Sequence, residues 1–281
     1  MRRFIYSVAL SLCAYVATPL VAQTKGVASF DGLKNMEFVN QFYNGGEGSL
    51  GSGPPRKNLH LEFTSNAQTI VSGAKGGSGN FIGNPGGTPV MFFQTGEDVI
   101  VNSTEGVSVG LWFSYSALQP GTVTVYDGAN GAGKVLASVT LSANNIGCNS
   151  YRMCVWSPVG LPLKTPAGSI RFSGVANYLA IGAIHLGVKL PTSTILASSQ
   201  NPSVQGQPVT FMATISATGA VPVGTVQFKS SNVVLGEVPV TGDTASLTLS
   251  SLSAGSHTIK AVFRGQGFVT SSANLLQTVN P

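Results

Sequence analysis

The feature that most constrains the fold is the alternation of apolar and polar residues over short stretches. A Gly-containing turn at Ser253–Ser256 leads into one such stretch. There, Ile259, Ala261 and Phe263 fall on one face of an extended chain, and mainly polar residues fall on the other. A period of two predicts a half-buried strand of an antiparallel sheet. Stretches of this kind recur along the chain without any sustained helical period, so the sequence predicts an all-β protein.

The composition agrees with this prediction. Charged residues make up only 9% of the chain, and it contains 35 Gly. A chain rich in Gly and β-branched residues and poor in charge is typical of β-sheets joined by many turns. A length of 281 residues favours two domains.

The first residues predict a secretory signal peptide over residues 1–22. Arg2 and Arg3 precede the apolar run Phe4–Val16, and small residues close the segment at Ala22. An uncleaved N-terminal anchor is the alternative, which the short apolar run disfavours. No later stretch could span a bilayer. Loss of the two arginines lowers the formal charge from +5 to +3, and the other Lys and Arg do not cluster, so we expect no nucleic-acid partner.

Cysteine usage then predicts one disulfide. Of the three Cys, Cys13 leaves with the signal peptide. Cys148 and Cys154 remain as a pair in an exported, oxidising setting. Two Cys without a nearby His pair do not supply the four ligands of a structural zinc site, so we expect no metal and no cofactor.

The segment 23–188 predicts a jelly-roll-like β-sandwich, because short strand candidates alternate with turn clusters. The Gly-rich stretches Asn44–Asn58 and Gly73–Gly87 are predicted loops, and residues 189–192, around Pro191, a linker. The predicted strands are Glu37–Tyr43, Leu59–Phe63, Pro89–Gln94, Val99–Asn102, Val107–Tyr115, Thr122–Tyr126, Val135–Leu141, Tyr151–Leu163, Ser169–Phe172 and Tyr178–Leu186.

The segment 193–281 predicts seven strands, and about seven short strands in about ninety residues is the size of an immunoglobulin-like sandwich. They begin near Thr194, Pro208, Gly224, Val233, Thr244, His257 and Asn274. With neither Cys nor Trp, this segment must build its core from aliphatic residues and Phe. The predicted anchors are Phe211, Phe228, Phe263 and Phe268.

Three stretches of this segment carry a family likeness: Ser199–Thr214 (SQNPSVQGQPVTFMAT), Pro222–Phe228 (PVGTVQF) and Leu252–Phe263 (LSAGSHTIKAVF). Through them, residues 193–279 resemble the group 3 bacterial Ig-like domain. The resemblance implies a spacer or adhesive module of surface-exposed and secreted bacterial proteins, usually without catalysis.

The first half resembles an N-terminal β-sandwich domain of exported bacterial proteins that often carry PEP-CTERM tails. Phe30–Leu33, Val39–Gly46 and Val123–Gly128 carry this likeness. Relatives finish the domain with Phe-Asp-Asn, where this chain has Ile181–Ala183. This departure from the relatives argues against a cation site like that of related lectin-like sandwiches.

Catalytic patterns are lacking in the sequence. His60, His185 and His257 are scattered, and no Gly-x-Ser-x-Gly elbow occurs. Glu97 and Asp98 are adjacent, so in a strand they would face opposite ways and could not act as an acid/base pair. We expect no enzyme. The alternative is a carbohydrate-active hydrolase, or its accessory binding module, with a site assembled from distant residues.

Trp112 is the first candidate binding residue. The odd positions from Val107 to Tyr115 predict the core face of that strand, and Trp112 shares the other face with small residues. Trp112 could stack on a sugar ring, or it could pack under a covering loop, which is commoner for a large aromatic residue. Tyr126 lies on the non-core phase of its strand, and Tyr43 and Tyr151 lie beside loops.

We therefore expect a monomeric, secreted or surface-associated bacterial protein without enzymatic activity. The Ig-like segment would be a spacer or adhesive module, and the first domain a recognition head. The expected partner is an extracellular polysaccharide or cell-surface glycan, bound by Trp112, Tyr126, Tyr43 and Tyr151.

Overall fold

The computed structural model describes residues 25–281, so the predicted signal peptide lies outside the described residues. Nineteen strands form four sheets, and the helical content of this range is two short 3-10 turns, Phe42–Asn44 and Gly73–Lys75. The predicted all-β fold class is confirmed. Within the same range no helix is both long enough and apolar enough to cross a membrane.

Eleven strands build the N-terminal unit. They are β1 (Gly26–Ala28), β2 (Leu61–Phe63), β3 (Gln68–Ile70), β4 (Val90–Phe92), β5 (Asp98–Val107), β6 (Gly110–Ala117), β7 (Gly121–Tyr126), β8 (Val135–Leu141), β9 (Ser157–Pro162), β10 (Ala167–Ser173) and β11 (Leu179–Leu186).

These strands form two antiparallel sheets. Sheet A has the order β3-β4-β11-β6-β9, with β1 also paired to β11, and sheet B has the order β2-β5-β10-β7-β8. From β5 to β11 the chain crosses to the other sheet at every step except the β7–β8 hairpin, which makes a jelly-roll-like sandwich. Alternate residues of facing strands meet in the core, where the rings of Phe113 and Phe172 lie 5.3 Å apart, edge to face.

Three local predictions for this unit are wrong, and one of them is the strand Tyr151–Leu163, which begins only at Ser157. Glu37–Tyr43 is not a strand: Phe38 makes a single bridge to Gln68, and a 3-10 turn follows. A positive φ of 47° at Asn40 breaks the extended run. Val109 does not belong to β6: it occupies the turn between β5 and β6 with a φ of 69° and is half-buried.

A buried carboxylate organises the first loop. Glu37 is fully buried, and its two side-chain oxygens accept hydrogen bonds from the backbone N–H groups of Lys34 (2.6 Å), Leu50 (2.9 Å) and Ser52 (3.1 Å). The Ser52 hydroxyl donates a fourth, at 2.6 Å. Glu37 therefore fixes the Gly-rich segment 48–52 against residues 34–38.

The C-terminal unit contains every one of the seven predicted strands and a two-residue strand, β13, that was not predicted. The strands are β12 (Thr192–Ser198), β13 (Ser203–Val204), β14 (Val209–Ala217), β15 (Thr225–Ser230), β16 (Val233–Pro239), β17 (Thr244–Leu249), β18 (Gly255–Arg264) and β19 (Ser271–Asn280).

These strands form sheet C, with the order β12-β14-β17, and sheet D, with the order β13-β19-β18-β15-β16. All pairs are antiparallel except β13 with β19. The four predicted Phe anchors are all at most 1% exposed and belong to one core cluster between the sheets.

The two units meet through a short, packed segment. Leu190 is fully buried in the C-terminal core cluster. Its backbone N–H donates to the Gly267 carbonyl (2.8 Å), and its carbonyl accepts from the Val269 N–H (2.9 Å). The Gly160 N–H donates to the Gly219 carbonyl at 2.9 Å. The bond between Gly160 and Gly219 therefore links the two units directly, and the other two bonds fix Leu190 in the C-terminal unit.

Candidate functional site

The candidate site begins with two aromatic rings on the outer face of sheet A. Trp112 on β6 and His185 on β11 are directly opposite each other in the strand register. Their ring centroids lie 3.7 Å apart and their planes differ by only 7°, so the rings are stacked. On the next strands the partner of Trp112 is Gly160 and the partner of His185 is Val27.

These rings line an open depression of about 500 Å³. Its lining is mainly apolar, with hydroxyl groups at Ser29 and Ser114: Val27, Ser29, Pro85, Gly86, Trp112, Ser114, Pro158, Ala183 and His185. The predicted loop Gly73–Gly87 supplies Pro85 and Gly86, and Asn84 accepts a hydrogen bond from the Ser114 hydroxyl at 3.1 Å. The loop therefore forms one wall of the depression.

The electrostatics of the depression favour uncharged ligands. Burial lowers the pKa of His185 below its usual value of 6.5, which favours the neutral imidazole. No Asp or Glu lines the depression. The arrangement offers ring surface and hydroxyl groups, which are suited to binding by contact and hydrogen bonding.

Trp112 also has a structural role. It is half-buried and packs against the core cluster of the C-terminal unit, which includes Leu190. Gly160, its neighbour on β9, has no side chain to separate the two. Trp112 therefore both lines the depression and contributes to the junction between the units.

The other predicted binding residues lie elsewhere. Tyr126 is on β7 of sheet B, on the opposite side of the sandwich from Trp112, where it lies beside Arg171. Tyr151 is half-buried next to Gly73. The four residues predicted from the sequence do not form one platform.

Tyr43 is a core residue. It is 2% exposed, its hydroxyl accepts a hydrogen bond from the Phe30 N–H at 2.6 Å, and its ring packs edge to face on Phe42 at 5.0 Å. Burial raises the pKa of Tyr43 well above its usual range. Its ring is therefore not available for stacking on a ligand, and Tyr43 takes no part in the depression at Trp112.

The predicted disulfide is confirmed: Cys148 and Cys154 are joined, with 5.7 Å between their Cα atoms. The Asn145 carboxamide oxygen accepts hydrogen bonds from the N–H groups of Cys154 (2.8 Å) and Val155 (3.1 Å). The loop then bridges to the Gly-rich loop through Phe81 and Met153.

These two loops create a second recess that the sequence did not predict. We call it the disulfide cleft. It has a volume of about 180 Å³ and lies over the other end of sheet A. Its only cationic lining residue is Arg152. Spacing and periodicity could not reveal it, because its residues come from six separate stretches of the chain.

The side chains that could ligate a metal ion are dispersed over the described part of the chain. Among residues 25–281, no three His, Cys, Asp or Glu side chains are grouped so that they could hold a metal ion. The two ion pairs in this range, His60–Glu105 and Arg171–Asp98, lie outside both recesses.

Fold and site together define a two-unit β-sandwich protein with surface recesses on its first unit. Residues 196–280 match the family model of the bacterial Ig-like domain (group 3), which confirms the resemblance of the C-terminal segment. That family is typically non-catalytic. A search of curated proteins gives no match.

Several solved structures show distant likeness. Fibronectin(III)-like modules of CbhA from Clostridium thermocellum match at 10% identity, with a TM-score of 0.29, covering 66% of this chain and 87% of that one. The glycoside hydrolase domain of Endo-D from Streptococcus pneumoniae matches at 12% identity, with a TM-score of 0.28, covering 78% and 37%. A β-glucuronidase from Ruminococcus gnavus matches at 13%, with a TM-score of 0.24, covering 79% and 44%. TM-scores this low carry no argument about function.

Proposed function

We propose that this is an exported bacterial recognition protein without catalytic activity, whose N-terminal sandwich binds a glycan in the depression lined by Trp112 and His185. The C-terminal Ig-like unit would support this head and set its distance from whatever carries it. The observation on which the proposal rests is the stacked pair of rings in an apolar depression with hydroxyl groups at its edge.

The chemistry of a sugar ring suits this surface. One face of a pyranose presents C–H groups, which pack against aromatic side chains, while its hydroxyls need hydrogen-bonding partners. Ser29 and Ser114 lie at the depression and can supply such partners. The depression is open, so little of a ligand would be enclosed and the affinity of a single sugar would be weak.

The export of the protein is part of the proposal. The predicted signal peptide over residues 1–22 and the disulfide between Cys148 and Cys154 both suit an oxidising, extracellular setting. Glycans are the abundant polymers of that setting. We further propose that the protein acts as a monomer, released or held at the cell surface.

The test is a glycan array followed by affinity electrophoresis of variants on the retained glycan. Trp112→Phe keeps an aromatic ring and should keep most of the retention, whereas His185→Ala, which removes half of the stacked pair, should abolish it. Tyr126→Ala is the matched control, since it removes an aromatic residue from the opposite sheet and should change nothing.

Stability must be measured beside binding, because Trp112 also contributes to the junction. Trp112→Ala should lower the melting temperature as well as retention. His185→Ala separates the two effects, since His185 lies away from Leu190 on the β1 side. Retention that survives His185→Ala in a folded protein would contradict this site. Turnover of any hydrolase substrate would contradict the non-enzymatic proposal.

A further inference from the structure

The disulfide cleft has the features of a second binding site, one for a carboxylate. Its floor is apolar and includes Phe81, Met153, Leu179 and Ala180, each at most 8% exposed. Its rim carries the polar side chains of Ser78, Asn80, Arg152 and Asn177. An apolar floor with a few polar groups at the rim is the usual composition of a small-molecule site.

Arg152 supplies the cleft with an unneutralised charge. Within residues 25–281 no Asp or Glu lies within ion-pair distance of its guanidinium group. The guanidinium carbon lies 5.2 Å from the centre of the Tyr178 ring, so the group is held by a cation–π contact. A guanidinium resting on an aromatic ring keeps N–H groups at its edge, and these can donate two parallel hydrogen bonds to a carboxylate.

The backbone that carries Arg152 is fixed on both sides. The Arg152 N–H donates to the Asn80 carboxamide oxygen at 2.8 Å, and the Met153 N–H donates to the Asn80 carbonyl at 3.2 Å. Cys154 is tied to Cys148 by the disulfide. The site is therefore positioned before any ligand arrives, which reduces the entropy lost on binding.

We propose that the disulfide cleft binds the carboxylate-bearing ring of a hexuronic acid. The carboxylate would pair with Arg152, the C–H face of the ring would lie on the apolar floor, and its hydroxyls would face the amides of Asn80 and Asn177. The cleft is small, at about 180 Å³, and its rim is polar, so it suits a compact polyhydroxylated acid better than a long acyl chain.

This inference goes beyond the proposed function, because the cleft shares no lining residue with the depression at Trp112. Both recesses lie along β11: Ala180 lines the cleft and His185 lines the depression. Their partners on β6, Ser116 and Trp112, are four residues apart, so at about 3.3 Å per residue these positions are roughly 13 Å apart. If both sites act, one acidic polysaccharide would contact both.

The test compares two ligands that differ at one group, D-glucuronate and D-glucose, in NMR titrations of the full chain at low salt. Glucuronate should bind at least about tenfold more tightly, the difference that one charge-assisted pair supplies. Arg152→Gln should reduce glucuronate binding to the level of glucose, and Arg152→Lys should retain part of it. Lys164→Gln removes the same charge from an exposed position outside the cleft and should have no effect.

Two further measurements test the proposed carboxylate site. Reduction of the disulfide should weaken glucuronate binding while leaving retention of a neutral glycan unchanged. An oligosaccharide that alternates glucuronate with a neutral sugar separates a polymer ligand from a free sugar acid. A gain in affinity over the monosaccharide that His185→Ala removes identifies the polymer. The proposal is overturned if glucuronate does not bind at its highest soluble concentration, if glucose binds equally well, or if Arg152→Gln binds glucuronate like the unaltered protein.

Discussion

The two units have the same layered architecture, but different side chains stabilise them. Each is a sandwich of two sheets, but the C-terminal unit is held mainly by aliphatic and Phe side chains, with Ser203 and Gln277 as its buried polar residues. The N-terminal unit buries eight polar or charged side chains: Glu37, Ser52, Gln68, Thr69, Ser72, Ser114, Ser116 and Ser169. Several of these hold long loops in place.

The difference in loop structure determines where ligands can bind. In the C-terminal unit the outer face of sheet C is exposed to solvent, with Ile195 67% and Met212 43% exposed. In the N-terminal unit two loops fold over the outer face of sheet A and leave recesses between themselves and the strands. A sandwich with covering loops gains concave surface, and loops held by a rigid scaffold are where binding residues usually lie.

The largest effect should come from the core of the C-terminal unit. Phe263 is fully buried and packs edge to face on Phe268 at 5.9 Å. Phe263→Ala should lower the free energy of unfolding by about 3–5 kcal/mol, measured by denaturant melts. Ile195→Ala in the same unit is the exposed control and should cost less than about 0.5 kcal/mol. A loss below about 1 kcal/mol for Phe263→Ala would contradict the packing described.

The N-terminal unit should depend instead on a carboxylate. Glu37→Ala leaves four hydrogen-bond donors without their acceptor, and we expect a loss of about 3 kcal/mol in unfolding free energy. Glu97→Ala, at an exposed position, is the control. If both variants melt alike, Glu37 does not organise the loop.

The same carboxylate predicts acid sensitivity. Burial would raise the pKa of Glu37, but hydrogen bonds from Ser52, Lys34 and Leu50 lower it below its usual value of 4.5. A lowered carboxyl pKa contributes stability that is complete above the unfolded value and is lost as the pH falls through the folded value. Melts from pH 6 down to pH 3 should therefore show a steeper fall for the unaltered protein than for Glu37→Gln.

The disulfide should have a smaller effect, since it closes a short loop. The chain-entropy model gives about 2 kcal/mol for a closure of this size. Replacing both Cys148 and Cys154 with Ser should lower the stability of the N-terminal unit by that amount, and reductant should not lower it further. Two alkylatable thiols in unreduced protein exported to an oxidising compartment would refute the pairing.

The smallest effect on stability should come from the boundary between the units. We propose that the C-terminal unit folds independently, and that Leu190 belongs to it because it is buried in that core. Fragments 189–281 and 192–281 should both melt cooperatively, with the longer one more stable by about 1.5 kcal/mol from the burial of one Leu. A disordered circular dichroism spectrum for both fragments would refute the boundary.

The sequence predicted the C-terminal unit better than the N-terminal unit for a physical reason. Its strands are regular and its core faces alternate, so periodicity located all seven longer strands and the four Phe anchors. The two-residue strand β13 is too short to show a period. The resemblance to an Ig-like domain predicts the same fold, and the stretches that carry it include Phe211, Phe228 and Phe263.

Sequence patterns failed where a short pairing is interrupted. Phe38 bridges to Gln68, but the left-handed backbone at Asn40 ends the extended run before Tyr43. Trp112 was predicted on the non-core face, but no local pattern could show that His185, 73 positions along the chain, would stack on it. The disulfide cleft depends on loops whose contacts are equally distant in sequence.

The central claim is that recognition belongs to the loop-covered face of the first sandwich and support to the second. Hydrogen–deuterium exchange of the full chain, with and without a retained glycan, tests it most directly. The account predicts slower exchange on binding in β6, β11 and the loop Gly73–Gly87, with β14 and β18 unchanged. Protection confined to the strands of the C-terminal unit would contradict it.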